Sequence, residues 1–381
     1  MASNQSIAFV ANTSWSIYKF RLYLIEKLVE KGFVVYVLAP RDSYTTQFEH
    51  LPGLTYLELG HFRGKSISPL QDILLYKELL GHYRTLQPDV IFHYTIKANI
   101  FGTLAAAKAG IPAISVITGL GYAFSGNSWL KSSARILYRS ALRKNKEVWF
   151  LNEDDLRVFT KDRLVRTDRT FILPGEGVDA GHFFAAPFEP KETVTFLLIG
   201  RIIRHKGIRE FAQAAGLLQQ QGVAVRCQLL GVFDDKNPVA ISRQQVAEWE
   251  RRGILTYLGH TDQVAPFIEK ADCIVLPSYR EGLPLSLLEG ASMAKALIAS
   301  DTPGCHALIE EGVNGYLCRE KDGADLARKM TAYYHLPAAA KRQMGIAGRD
   351  KVLKNFTRER IVAIYLDKIN SLHAPVAIHR I

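Results

Sequence analysis

Residues 196–207 read FLLIGRIIRHKG. Four apolar residues run straight into Gly200, the pattern of a short strand buried on both faces of a parallel sheet. Gly200 lets the backbone turn closely past a ligand. Arg201 and Lys206 then set two cations above the strand end, and a helical pattern starts after Gly207. The start of a helix offers free N–H groups and the positive end of its dipole, so a diphosphate is the natural guest. The other reading of these residues alone is a loop with two solvated cations.

Outward from this segment the chain keeps alternating strand and helix. Downstream come apolar runs at 227–230, 254–258, 273–276 and 297–300, with a helix over about 284–293. Upstream lie runs at 7–11, 34–39, 90–93, 114–117 and 148–151, with helical stretches at 17–31 and 98–109 and a helix capped by Asn152. Strands that alternate with helices predict doubly wound parallel sheets. Residues 174–191, PGEGVDAGHFFAAPFEPK, interrupt the alternation with glycine and proline and read as an interdomain hinge. The predicted organisation is an α/β chain of two Rossmann-like domains, 1–186 and 187–381, with the last helix free to pack back on the first domain. A ligand cleft is expected at the carboxyl ends of the strands.

A second segment joins the first. Residues 276–290, LPSYREGLPLSLLEG, carry Glu281 in the loop after a strand and Glu289 eight positions on, about two helical turns away. Gly282 brings backbone N–H groups close to a ligand, and Pro284 suits a first helical position. Taken alone, Glu281 could be a capping carboxylate and Glu289 a solvated helix residue.

The joint pattern GR-x4-KG followed about eighty residues later by E-G-x-P-x4-E resembles the family 4 retaining glycosyltransferases, which have the GT-B fold. Supporting segments are GVD at 177–179, the glycine Gly231 after an apolar run, LPS at 276–278, SDTPG at 300–304 and NGYL at 314–317. The resemblance implies that Arg201 and Lys206 hold the donor diphosphate, that Glu281 contacts the donor sugar, and that Glu289 contacts the ribose. Gly200, Gly231, Gly282, Leu283 and Pro284 complete the implied donor site. It also implies transfer with retention, by front-face attack in which the leaving diphosphate helps deprotonate the acceptor hydroxyl.

HYTIKANIFG at 93–102 and TGLGYAF at 118–124 resemble the branch of that family that extends undecaprenyl-diphosphate-linked glycans. The acceptor residues expected from this half are Ser16, Arg21, His93, Lys97, Asn99, Gly119 and Gly121. His93 reads equally as a hydrogen-bonded strand-end histidine. Two departures stand out: NTSWSIYKFR at 12–21 replaces the double glycine common after the first strand, and Ala307 stands where relatives often carry glutamate.

Composition bounds the rest. The 381 residues are 48% apolar and 22% charged, with no apolar run near the roughly 20 residues of a membrane-spanning helix and no signal-peptide pattern at MASNQS. Cys227, Cys273, Cys305 and Cys318 include no CxxC pair and read as reduced, buried residues of a cytoplasmic protein. There is no DxD sequence, so metal-independent chemistry without a cofactor is expected.

The net charge is +11, and six cations and no acid lie between residues 127 and 146. Lys131, Arg135, Arg139 and Arg143 step by four along a predicted helix, beside an apolar stripe of Leu130, Ala134, Leu137 and Ala141, with Trp129 and Tyr138 as interfacial anchors. This stripe is read as a helix lying on an anionic membrane, the alternative being a solvated face; no nucleic-acid motif accompanies it. The expected enzyme is peripheral on the inner face of the cell membrane. It would move a HexNAc or hexose from a nucleotide sugar, preferably UDP-linked, to a lipid-linked saccharide. The rival readings are a transferase with a soluble acceptor and a non-transferring nucleotide-sugar epimerase or scaffold.

Overall fold

The structure, a computed structural model, describes residues 5–63, 68–119, 128–185, 187–235 and 237–373, with side chains for all of these but 128–134 and 373. Its contacts divide the chain into two units, Met1–Glu176 with Glu359–Ile381, and Gly177–Arg358.

The first unit runs β1 (Ser6–Val10), α1 (Ser14–Glu30), β2 (Val34–Ala39), β3 (Leu54–Glu58), α2 (Pro69–Leu86), β4 (Val90–Tyr94), α3 (Thr103–Ala109), β5 (Ala113–Ile117), α4 (Ser128–Leu142), β6 (Glu147–Phe150), α5 (Glu153–Lys161) and β7 (Thr170–Ile172). The strands form one parallel sheet in the order β3-β2-β1-β4-β5-β6-β7. Phe9 pairs in register with Val37 on one side and Phe92 on the other. The order reverses between β1 and β4. In open parallel sheets a crevice opens at the carboxyl ends of the strands at such a switch point.

The second unit runs β8 (Val194–Ile199), α6 (Ile208–Gln220), β9 (Val225–Leu230), α7 (Arg243–Arg251), β10 (Thr256–Tyr257), α8 (Ala265–Lys270), β11 (Cys273–Leu276), α9 (Leu285–Ser292), β12 (Ala296–Ser300), β13 (Gly315–Cys318), α10 (Gly323–Tyr334) and α11 (Ala338–Asn355). Its parallel sheet is ordered β10-β9-β8-β11-β12-β13. The switch point here lies between β8 and β11, so the two segments singled out above leave adjacent strands at that point.

The last helix, α12 (Arg358–His373), belongs to the first unit from Glu359 onward. Its Tyr365 is fully buried, with its ring centroid 4.9 Å from both Phe92 and Trp149. Each such aromatic pair adds about 0.5–1.5 kcal/mol beyond the area it buries. The boundary at Glu176 lies ten residues before the expected one at 186. The reason is pairing: the Val178 N–H bonds the Phe356 carbonyl at 2.8 Å, and the Arg358 N–H bonds Val178 at 3.1 Å. Phe183 sits in the second core, where its carbonyl accepts from Ser292 Oγ at 2.7 Å. Much of the glycine-rich segment is therefore structured as part of the second unit.

Local chemistry explains most element ends. Thr13 caps α1 by accepting the Ser16 N–H at 3.2 Å, and Asn152 caps α5 by accepting from Asp155 at 2.8 Å. The predicted small-residue helix at 98–109 is divided: residues Ala98–Gly102 form a wider, π-type turn before α3. All four cysteines are buried and free, and burial pushes the Cys227 thiol up to about 12.

Candidate active site

The site in the second unit is assembled by loops whose backbones touch. A Cβ on Gly231 would lie 1.7 Å from the Gly200 carbonyl oxygen, so the chains leaving β9 and β8 cross too closely for any side chain there. Gly207 has φ +73°, and a Cβ on it would lie 1.9 Å from the Pro277 carbonyl. Gly304, in the TPG turn after β12, would meet the Gly282 carbonyl at 2.3 Å. The loops after β8, β9, β11 and β12 are thereby pressed together in pairs, and Lys206 and Glu281 meet where the β8 and β11 loops touch.

Lys206 Nζ donates to Glu281 Oε1 at 2.6 Å, and Ser278 Oγ donates to the same oxygen at 2.6 Å. Both side chains are mostly shielded, at 22% and 13% exposure. At that depth a lysine attracts an incoming anion far more strongly than at a water-facing surface. Arg201 is placed differently: its side chain is 56% exposed and its guanidinium is 3.5 Å from Asp234. Glu289 is buried on α9, unlike a solvated helix residue. Leu283 packs against the second core, and Pro284 precedes α9 as its cap instead of opening it.

Two supports here were not anticipated. The Tyr279 N–H bonds the His205 carbonyl at 3.0 Å, tying the two loops together, and its hydroxyl donates to Glu210 at 2.8 Å. The only sequence signal was an aromatic residue beside the glutamate.

In the first unit the expected acceptor residues separate. Ser16 is spent on the helix cap, its hydroxyl donating to the Thr13 carbonyl at 2.9 Å. Arg21 is buried, paired with Glu176, bonded to the Ser16 carbonyl at 2.9 Å and stacked 3.6 Å over the Tyr94 ring. It is an internal ion pair, not a surface contact. Lys97 Nζ is held by Asp72 at 2.6 Å. Asn99 is buried, and its amide donates to the Val116 carbonyl at 3.2 Å. Gly119 has φ +136° and open space where a side chain would stand. Gly121 lies outside the described residues.

His93 corrects the acceptor reading. It is fully buried, with Nε2 2.8 Å from the Tyr83 hydroxyl and Nδ1 3.3 Å from Thr103 Oγ1. Thr103 continues the network to Ser115 at 3.1 Å and Asn145 at 3.2 Å. Both ring nitrogens are occupied, and Gly102 is a glycine because a Cβ there would lie 2.5 Å from the ring.

Burial pushes the His93 pKa down to about 3. An unfolded histidine titrates near 6.5, so between these values the unfolded chain takes up a proton that the folded chain refuses. Stability from this group therefore falls as pH drops below about 6.5, by up to about 1.4 kcal/mol per pH unit. H93Q should flatten the decline of melting temperature between pH 6.5 and 4.5; an unchanged slope would refute this account.

The cationic helix α4 also differs from expectation. Tyr138 is buried edge-on against Phe159, with ring centroids 5.5 Å apart, so it is a core residue and not an interfacial anchor. Arg135 pairs with Asp162 at 2.8 Å, and Arg139 donates to the Asp162 carbonyl at 2.9 Å. Asp162, just past α5, thus answers two members of the stripe, one through its carboxylate and one through its backbone carbonyl. Ala141 is buried, but Leu137 of the same expected stripe is 41% exposed and Ile136 is 67% exposed. Arg143 and Lys144 are exposed. The side chains of Trp129, Leu130, Lys131 and Ala134 lie outside the described residues. No helix among the described residues is long and apolar enough to cross a membrane.

Two parallel-sheet units, with a lysine–carboxylate pair at a switch point, define a class. Family models match most of the chain: a glycosyl transferase 4-like domain over residues 19–175 and the glycosyl transferases group 1 domain over residues 193–335. The chain belongs to the glycosyltransferases built from these two domains, and it is an enzyme of sugar transfer with the GT-B fold.

Among its relatives is the N,N'-diacetylbacillosaminyl-diphospho-undecaprenol alpha-1,3-N-acetylgalactosaminyltransferase of Campylobacter jejuni. The two are 28% identical over 85% of this chain and 88% of the relative. The UDP-Gal:alpha-D-GlcNAc-diphosphoundecaprenol alpha-1,3-galactosyltransferase of Escherichia coli is 26% identical over 68% of this chain and 69% of the relative. Among solved structures, sucrose-phosphate synthase from Thermosynechococcus elongatus matches with a TM-score of 0.81 at 18% identity, covering 97% of this chain and 99% of that one. HepE of Anabaena, in complex with UDP and glucose, matches with a TM-score of 0.76 at 17% identity over 96% and 99%.

Proposed function

We propose that this glycosyltransferase moves a HexNAc or hexose from a UDP-sugar to an undecaprenyl-diphosphate-linked saccharide, in the synthesis of bacterial surface polysaccharides or glycans. The observation that carries the donor half is the Lys206–Glu281 pair at the β8/β11 switch point. The acceptor half is supported by the names of the relatives above, which share most of their length with this chain.

In the proposed reaction the bond from the anomeric carbon to the diphosphate breaks while the acceptor oxygen bonds to the same face, retaining configuration. The acceptor proton passes to the departing phosphate oxygen. Lys206, with Arg201 at the loop's outer side and backbone N–H groups, answers the charge growing on that oxygen. Glu281 and Glu289 orient the sugar and the ribose. No metal is required in this scheme.

The enzyme is proposed to sit on the inner leaflet of the cell membrane through the exposed face of α4, where Ile136 and Leu137 stand among arginines.

The test is transfer from a panel of UDP-sugars to undecaprenyl-diphosphate-linked GlcNAc, with the product anomer assigned by NMR. Retained configuration and unchanged rates in EDTA are expected. Sugar release without acceptor would favour an epimerase-like activity, and loss in EDTA restored by Mg²⁺ or Mn²⁺ would reveal a metal requirement.

A further inference from the structure

Thr95 follows β4 at the switch point of the first sheet, and it does so at φ +73°. Four other non-glycine residues among those described have positive φ: Gln87, Arg163, Ala294 and Lys321. None of the four is β-branched. Gln87 ends α2, and Arg163 and Ala294 lie just past the ends of α5 and α9, where left-handed residues are ordinary. Thr95 ends a strand and carries the side-chain type least suited to that conformation. Such strain persists where the surroundings impose it, and it concentrates at ligand sites.

Its hydroxyl oxygen is buried and has no hydrogen-bond partner among the described residues. Four residues on, the Asn99 N–H bonds the Thr95 carbonyl at 2.9 Å. Asn99 is 1% exposed. Its amide group donates to the Val116 carbonyl, yet Oδ1 meets no partner among the described residues. Buried polar atoms are rarely left in this state. Between the two residues the chain enters the π-type turn, a form common at functional positions. Two residues beyond β5, Gly119 leaves open space around its backbone.

The two orphan oxygens select a chemistry. A threonine hydroxyl both donates and accepts, whereas an amide oxygen only accepts. A phosphate diester or a fully ionised diphosphate has no hydrogen for Asn99 Oδ1. Sugar hydroxyls serve both atoms: one gives its hydrogen to Asn99 Oδ1, and the oxygen of one takes the hydrogen from Thr95. We propose that Thr95 and Asn99 bind hydroxyl groups of the acceptor saccharide, with Thr95 held in its strained conformation to present its side chain there. The assignment rests on the acceptor reading of the first unit given above.

The experiment compares Thr95→Gly, Thr95→Val and Thr95→Ser, using a short-chain analogue of diphosphoundecaprenol-linked GlcNAc as acceptor. Thr95→Gly relieves the strain and should raise the melting temperature by about 2–4 °C. It should also raise the acceptor KM about tenfold and leave the donor KM unchanged. Thr95→Val keeps the β-branch, so it should raise the acceptor KM without the thermal gain. Thr95→Ser keeps the hydroxyl and should stay within about twofold of wild type.

An unchanged acceptor KM in both Gly and Val variants overturns the proposal, as does a lower melting temperature in Thr95→Gly, the sign of a hydroxyl satisfied by a buried water. If wild type leaves the analogue untouched, the acceptor reading fails instead. Thr95 is then scored by the thermal shift that N-acetylglucosamine 1-phosphate gives wild type and Thr95→Val: a smaller shift in the variant sustains the assignment, and equal shifts overturn it.

Discussion

Lys206→Ala and Glu281→Ala are each expected to lower transferase turnover at least about a hundredfold, the usual effect of losing a charge contact made in the transition state. The two variants should nevertheless diverge in binding UDP. Glu281 is the counter-ion of Lys206, at 2.6 Å. A diphosphate must therefore compete with that carboxylate for the ammonium. Removing the lysine takes away the cation and should weaken UDP by about tenfold or more, since a charge-assisted hydrogen bond is worth about 1.5–3 kcal/mol. Removing the glutamate frees the cation, so UDP should bind as tightly as to wild type or more tightly, even though turnover collapses. Glu281→Gln separates charge from shape, because its amide oxygen can still accept from Ser278 Oγ, which donates to Glu281 Oε1 at 2.6 Å. The double variant should be far less impaired than the product of the singles, as for groups that act as a unit. Turnover near wild type in both single variants would remove the pair from the reaction.

The strand-end loops of the second unit were legible in the sequence because their signals are local. Gly200, Lys206 and Gly207 lie within eight residues of one another, and Gly207 is dictated by its contact with the Pro277 carbonyl, which any sequence of this fold must leave room for. What could not be read was partnership across long separations. Arg21 has the look of a phosphate ligand until Glu176, 155 residues away, is found against it. His93 at a strand end looks the same whether it faces a ligand or the core; Tyr83 and Thr103, on α2 and α3, decide the matter. The domain boundary was misplaced for the same reason, because the bridge between Val178 and Thr357 has no local signature. Periodicity did announce α4, but not Asp162, which arrives from another element to neutralise part of its stripe.

That pairing changes how the membrane reading of α4 is tested. Reversing Arg135 or Arg139 would set new carboxylates beside Asp162 and disturb the packing of α5 as well as the surface. Arg143 and Lys144 are exposed, so Arg143→Glu with Lys144→Glu alters the surface charge alone. Each cation near an anionic leaflet is worth about 1 kcal/mol. Reversing two of them removes that attraction and adds repulsion, about 2–4 kcal/mol together, or roughly 30- to 1000-fold in partition to anionic vesicles. Ile136→Gln probes the apolar part separately: its side chain is 67% exposed, so the change should weaken vesicle binding at any salt concentration while leaving the melting temperature within about 1 °C. The charge effect, by contrast, should shrink in 1 M salt, where screening acts within about 3 Å. Transfer to full-length lipid-linked acceptor in vesicles should slow in step with lost binding, and transfer to the short-chain analogue in detergent-free buffer should not change. Equal vesicle binding by wild type and the double variant at low salt would make this face of α4 a solvated surface, and the acceptor's lipid would then have to be met by another part of the first unit.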